Sequence, residues 1–174
     1  MSLSVVGIDP SSRKIAVVVN TASTNFISTY EVKQGTLRPQ ACGEIDEYLG
    51  KLFTMLRSSY GDDLSVYVEE PVVGKNKRAG ILQGQIHGVA LASALRSGIT
   101  SVYSISNTAW KKETVGSGNA GKDACREWLE REHPGLASDC GGDLDLIDAA
   151  CIAAYGRAVL ARAGRVPGRV PSTG

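Results

Sequence analysis

The chain has 174 residues, 43% apolar and 21% charged, with a formal net charge of +1. That is the make-up of an ordinary soluble globular protein of one domain with a real core, and no overall basicity announces a nucleic-acid partner. No apolar run reaches membrane-spanning length. The cysteines (Cys42, Cys125, Cys140, Cys151) lack metal-site or redox-motif spacing, and no signal peptide stands before them, so reduced thiols in a cytoplasmic protein are expected.

Three β-branched segments come first, LSVVGID (3–9), KIAVVVN (14–20) and TNFISTYEV (24–32). Short turns join them, which predicts an antiparallel meander. Segment 40–61 carries Ile45, Tyr48, Leu49, Leu52, Phe53 and Leu56 at helical period and stops near Gly61. LSVYVEEP (64–71) reads as a strand stopped by Pro71, 79–98 as a helix despite its glycines, and SVYSIS (101–106) as a strand. A short helix at TAWKKET (108–114) and a longer one at DACREWLEREH (123–133) flank the loop VGSGNAGK. The last helix covers 143–164, and the tail 165–174 has no periodicity, so a flexible basic tail is expected after a single domain, 1–164. A meander leading into βαβ crossovers makes an α/β fold, a mixed sheet flanked by helices.

Charge is uneven. Lys75, Lys77 and Arg78 form one basic cluster, Lys111, Lys112 and Lys122 bracket the Gly-rich loop, and Arg157, Arg162, Arg165 and Arg169 lie in the last 18 residues without an acid. Three acidic features fall at strand or helix ends. Asp9 ends the first strand, Glu69 and Glu70 end the fourth, and Asp145 and Asp148 share a face in the first turns of the last helix. A lone buried carboxylate is expensive, and several converging ones repel unless a cation sits among them. Hard oxygen ligands suit Mg²⁺ or Mn²⁺, and two such ions about 3.5–4 Å apart serve phosphodiester cleavage. Taken singly, each acid has a plainer explanation. Asp9 can open the turn DPSSR, Glu69 can sit at a solvated strand end, and Asp143, Asp145 and Asp148 can favour the positive end of a helix dipole.

Four blocks, in order from about residue 4 to residue 158, resemble the RuvC family of Holliday-junction resolvases. VVGIDPSSR is similar to its opening GIDPGSR. VYVEEPVVGKNKRAGILQGQIHGVALASAL resembles the block in which an acid ends a strand and KN and LGQxxGV follow. WKKETVGSGNAGKDA is similar to VKxxxxGxGxAxK, and DLDLIDAACIA to DAADALAIA. The resemblance implies a ribonuclease H-like fold and a homodimer that nicks two strands of a four-way or branched DNA symmetrically, using Mg²⁺ or Mn²⁺, with two ions per site. It implies Asp9, Glu69, Asp145 and Asp148 as metal ligands. Lys111 and Lys122 would then hold phosphate, Lys122 at the catalytic site, and the basic run Lys75, Lys77 and Arg78 would contact DNA. Lys122 opens a helix, where the dipole disfavours a cation, so its position needs a reason, and a bound phosphate near the scissile bond would supply one.

The chain also departs from the pattern. Ser11 stands at the glycine of DPGSR, Val72 where an aromatic often stacks on a base, and His87 where arginine is common. Trp110 reads as a core indole. Two other classes stay open at this level: a non-catalytic junction-binding protein of the same fold, and an actin-like phosphotransferase, whose chains are longer because they duplicate the domain. The six-residue step to Lys75 aligns Glu69 rather than Glu70 with the family acid. Glu69→Gln should therefore cost more junction cleavage than Glu70→Gln, and the reverse order would shift the register by one.

Overall fold

The computed structural model describes residues 4–21, 24–72, 74 and 77–164, without the side chains of Asp62 and Lys77. Lys75 and the predicted tail 165–174 lie outside the described residues, as does the side chain of Lys77. The strands are β1 (Ser4–Pro10), β2 (Lys14–Asn20), β3 (Asn25–Glu31), β4 (Leu64–Glu69) and β5 (Ser101–Ile105). The helices are α1 (Arg38–Tyr60), α2 (Lys77–Arg96), α3 (Asn107–Thr114), α4 (Lys122–Glu132), α5 (Pro134–Cys140) and α6 (Leu144–Gly164). The sheet order is β3-β2-β1-β4-β5, antiparallel across β3-β2-β1 and parallel across β1-β4-β5. The mixed sheet is therefore as expected.

Two elements differ from the sequence reading. β4 stops at Glu69, so Glu70 and Pro71 already belong to the connection. A separate short helix, α5, starts where Pro134 fixes its first turn and stops at Gly141, whose φ of 58° only glycine adopts cheaply.

Strand period two sorts the side chains. Val6, Ile8, Ile15, Val17, Val19, Leu64, Val66 and Val68 face α1 and α2, where Ile45, Leu49, Phe53 and Leu56 complete one core. Val5, Ala16, Val18 and Tyr67 face the other way, against α6 and the buried parts of α3, α4 and α5. β1 is buried along its whole length because strands flank it on both edges and helices cover both faces.

Helix α6 lies very close to the sheet. Its inner face is built from Ala149, Ala150, Ala153, Ala154 and Gly156, all buried. A Cβ on Gly7 would stand 2.1 Å from the Ala149 carbonyl oxygen, and one on Gly156 would stand 2.6 Å from the Tyr67 ring. At the far end Arg157 donates to the Asn20 side chain and to the Thr21 carbonyl (2.6 Å). Arg157 and Arg162 lie within the last helix, as its predicted span of 143–164 expects, and Arg162 pairs with Glu113.

The β1–β2 turn answers the Ser11 departure. No described non-glycine residue has a positive φ. Instead the Ser11 hydroxyl closes the turn, accepting from the Lys14 N–H and donating to the Lys14 carbonyl, both at 2.9 Å.

Gly7→Ala should destabilise the protein by about 1–3 kcal/mol or more, because the clash is with helix backbone. Gly50→Ala, mid-helix with open space around it, should instead stabilise by about 0.5–1 kcal/mol. Urea unfolding of the two variants measures both signs.

Candidate active site

Asp9 and Glu69 are brought side by side by strand register. Ile8 pairs with Val68 across the parallel β1–β4 ladder, so the next residue on each strand projects toward α6. Both carboxylates are buried, Asp9 at 7% and Glu69 at 4% exposure, whereas Glu70 is exposed. α6 supplies the rest from above. Asp145 and Asp148 lie one turn apart over the end of β1, and Asp148 is buried.

The environment shows what this crowding costs. Burial first, and then the charges of Glu69, Asp148 and Asp145, raise the Asp9 carboxyl well above the ordinary aspartate range, and a hydrogen bond with Glu69 adds to it. Asp148 is pushed up to about 6, chiefly by burial, against the opposing pull of Lys122. Its Oδ1 is buried and has no hydrogen-bond partner.

Other oxygens of the group are held by named donors. Glu69 Oε1 accepts from the Trp110 indole N–H at 2.8 Å and from the Asn107 amide. Trp110 is therefore a core indole, as read from the sequence, and its polar edge also fixes a carboxylate. Lys122 reaches Asp145 Oδ1 (3.3 Å) and Asp148 Oδ2 (3.8 Å) from the first position of α4. In the free protein two carboxylates, not the expected phosphate, thus offset its unfavourable helix position.

Lys14 was missed by sequence reading. It opens β2 on the face of Ala16 and Val18, and its ammonium touches Asp143 (2.6 Å) and Asp145 (3.2 Å). Only the period-two register of β2 signals this direction. Asp143 caps α6, accepting the N–H groups of Asp145 (3.0 Å) and Leu146 (3.3 Å). Burial works against its charge, but Lys14 and those N–H groups hold its carboxyl below the usual value.

The remaining candidates divide. Lys111 sits over the Trp110 ring, 5.3 Å from its centre, and its charge reaches Asp148. Arg78 is not at the carboxylates; it faces a pocket on the α1–α2 side. His87 shares a hydrogen bond with Ser104 (2.9 Å), whose hydroxyl donates to Glu70 (3.1 Å), and burial lowers the pKa of the imidazole. Val72 is 56% exposed.

The donor set suits a hard divalent cation, because it is all carboxylate oxygen and one oxygen is buried without a partner. As the side chains stand, no three acidic, His or Cys groups among the described residues are gathered closely enough to grip one ion. Asp145 is drawn between Lys14 and Lys122, and Glu69 toward Trp110 and Asn107. These residues fit the group in chemistry and burial, and the lysines hold the place of a counter-charge.

Raised carboxyls set a pH dependence of stability. Native Asp148 releases its proton near pH 6 and the unfolded chain near 3.8, so the native state binds more protons between those values. Stability of the metal-free protein should then fall as pH rises from about 4 to about 6 and stay lower above that. Asp148→Asn should flatten this slope and raise Tm at pH 7.5 by about 2–4 °C without divalent ions. Mg²⁺ should raise the Tm of the wild type more than that of the variant. Thermal melts with and without chelator check both.

The profile of the family described as "Crossover junction endodeoxyribonuclease RuvC" matches residues 5–131. The crossover junction endodeoxyribonuclease RuvC of Chlorobaculum parvum is 30% identical over 129 residues, 73% of this chain and 67% of that protein. Its counterpart in Anaeromyxobacter sp. (strain K) is 33% identical over 125 residues, covering 68% and 63%. In fold, the chain is similar to Thermus thermophilus RuvC in complex with a Holliday junction substrate, with a TM-score of 0.69 at 20% identity over 93% of this chain and 96% of that one. The profile stops short of Asp145 and Asp148, whose place beside Asp9 and Glu69 comes from the packing of α6. Together the sequence match, which displaces the actin-like alternative, and the ribonuclease H-like fold make this chain a member of the RuvC family of crossover junction endodeoxyribonucleases.

Proposed function

We propose that this protein resolves Holliday junctions, and acts on other branched DNA, by paired hydrolysis of phosphodiester bonds with a divalent metal. The observation that carries this reading, beside family membership, is the gathering of Asp9, Glu69, Asp145 and Asp148 at one end of the sheet, three of them buried. Buried like charges are costly to keep, and a purely DNA-holding protein gains nothing from them.

Asp9, Glu69, Asp145 and Asp148 would hold Mg²⁺ or Mn²⁺, two ions per site. When bound, such ions activate an attacking water and stabilise the leaving oxygen. The chain's own groups prepare the place. Trp110 and Asn107 fix the rotamer of Glu69, and Lys14 steadies Asp143 and Asp145 at the start of α6. Lys122, released from Asp145 and Asp148, is in reach of a phosphate at the scissile bond. Lys111, Lys75, Lys77 and Arg78 extend the phosphate contacts along the DNA.

A two-fold junction calls for two active sites. Ile81, Gly84, Gly88, Leu91 and Leu95 recur at steps of three and four along α2, and Ile81 and Leu95 are 59% and 55% exposed. That stripe supports a homodimer formed through α2. The four cysteines are unpaired, which supports a place in the reducing cytoplasm. No helix among the described residues is long and apolar enough to cross a membrane.

The test is a four-way junction labelled on each strand in turn. The wild type should make a symmetric pair of nicks only with Mg²⁺ or Mn²⁺. Asp9→Asn should leave junction affinity in Ca²⁺ unchanged and abolish cutting; full activity in that variant overturns the assignment. Lys122→Ala should slow cleavage by about tenfold or more while affinity changes by about threefold or less, since one phosphate contact among many costs little binding.

A further inference from the structure

On the opposite face of the sheet from α6, a pocket of about 230 Å³ opens between the β1–β2 turn, the β3–α1 connection and the start of α2. Four cationic residues line it, Arg13, Lys33, Arg38 and Arg78, together with the polar residues Ser12 and Thr36, and no acidic side chain does. Among the described residues none of the four cations has a carboxylate partner. Arg13 is anchored through a hydrogen bond to the Val32 carbonyl (3.0 Å). The neighbouring Lys14, by contrast, is paired with Asp143 and Asp145 on the other face of the sheet.

Two of these cations stand where a helix disfavours them. Arg38 is in the first turn of α1 and Arg78 in the first turn of α2, and neither turn holds an acid. α1 also lacks a side-chain cap. Two positive helix ends and four cations without a carboxylate thus converge on one concavity, an arrangement that repels itself until an anion enters. Its position says which anion. Ser12 and Arg13 belong to the turn that joins Asp9 to Lys14, so the pocket adjoins the carboxylate site around the end of the sheet.

We propose that this pocket seats a backbone phosphate of the DNA strand running on from the scissile bond, as a second anchor that fixes how the arm leaves the active site. The inference rests on the functional reading above in taking DNA as the polyanion. It is separable from that reading, because any bound DNA reports on the pocket.

The experiment uses the full chain and the double variant Lys33→Gln/Arg38→Gln, with Lys33→Gln alone as a second variant because Lys33 is exposed. Affinity for a four-way junction and for a duplex of the same sequence is measured in Ca²⁺ over a range of salt. The double variant should bind about tenfold more weakly near 0.1 M salt, with the slope of log K against log salt reduced by about 0.9 for each phosphate interaction removed. Its Tm should hold or rise, since a first-turn cation is removed. Methylphosphonate substitution, one phosphate at a time, should locate one position beside the cut that weakens wild-type binding and has no further effect in the double variant. Unchanged affinity and slope would overturn the proposal. So would pyrophosphate that raises the Tm of the wild type and not of the variant while DNA binding is equal in both, which would make the pocket a free-anion site. A wild type with no preference for junction over duplex would instead sink the functional reading, and the comparison of variants on duplex would still decide the pocket.

Discussion

The contact on which the rest depends is the close seating of α6 on β1. Gly7 has no side chain, and the facing turns of α6 are alanine and glycine, so helix backbone rests almost on strand backbone. Dispersion and apolar burial over this seam hold the helix in one register. Arg157 pins its far end to Asn20 and Thr21. A shift of one residue along α6 would turn Asp148 away from Asp9. Placement of the acidic centre is therefore a packing result before it is an electrostatic one.

Packing of that kind stores an unfavourable charge arrangement. Asp9, Glu69 and Asp148 are nearly out of water, and two of them bind protons more tightly than free aspartate does. The protein offsets this with specific partners. Trp110 commits the polar atom of a buried indole to Glu69, and Lys14 and Lys122 approach from β2 and α4 on either side of Asp145. These ammonium groups are counter-charges for the carboxylates of the free site. Such a balance is strained without cations, and the metal of the proposed function would relieve it.

The two faces of the sheet end differ in charge. On the α6 side the groups are acidic and buried; on the α1–α2 side they are basic and line an open pocket. The β1–β2 turn, closed by Ser11, is the short bridge between them. An acidic centre and a basic one are thus set at the two ends of a single tight turn. The mixed topology makes this possible, because the antiparallel meander returns the chain to the same end of the sheet where the parallel strands leave it.

Much of this was legible in sequence. β-branched runs, helical spacing in α1 and punctuation by Pro and Gly are local properties, so the strands and the principal helices followed from them. The acids at the ends of β1 and β4 stood out as locally misplaced, as Lys122 is at the head of α4, whereas those opening α6 suit a helix start and stood out only beside the others. α5 was not legible, since seven residues around a proline carry too little periodicity. Lys14 looked like an ordinary strand-end lysine, and Asp143 like one more acid near a helix dipole; they pair across a sequence separation of 129 residues. The same holds for Trp110 on Glu69 and for the gathering of Arg13, Lys33, Arg38 and Arg78, four cations scattered along the sequence. Residue type and local period are written in the chain itself and determined the elements and the chemistry on offer. Which oxygen meets which ammonium was decided only when α6 settled on β1, because partners so distant in sequence are chosen by close packing and not by propensity.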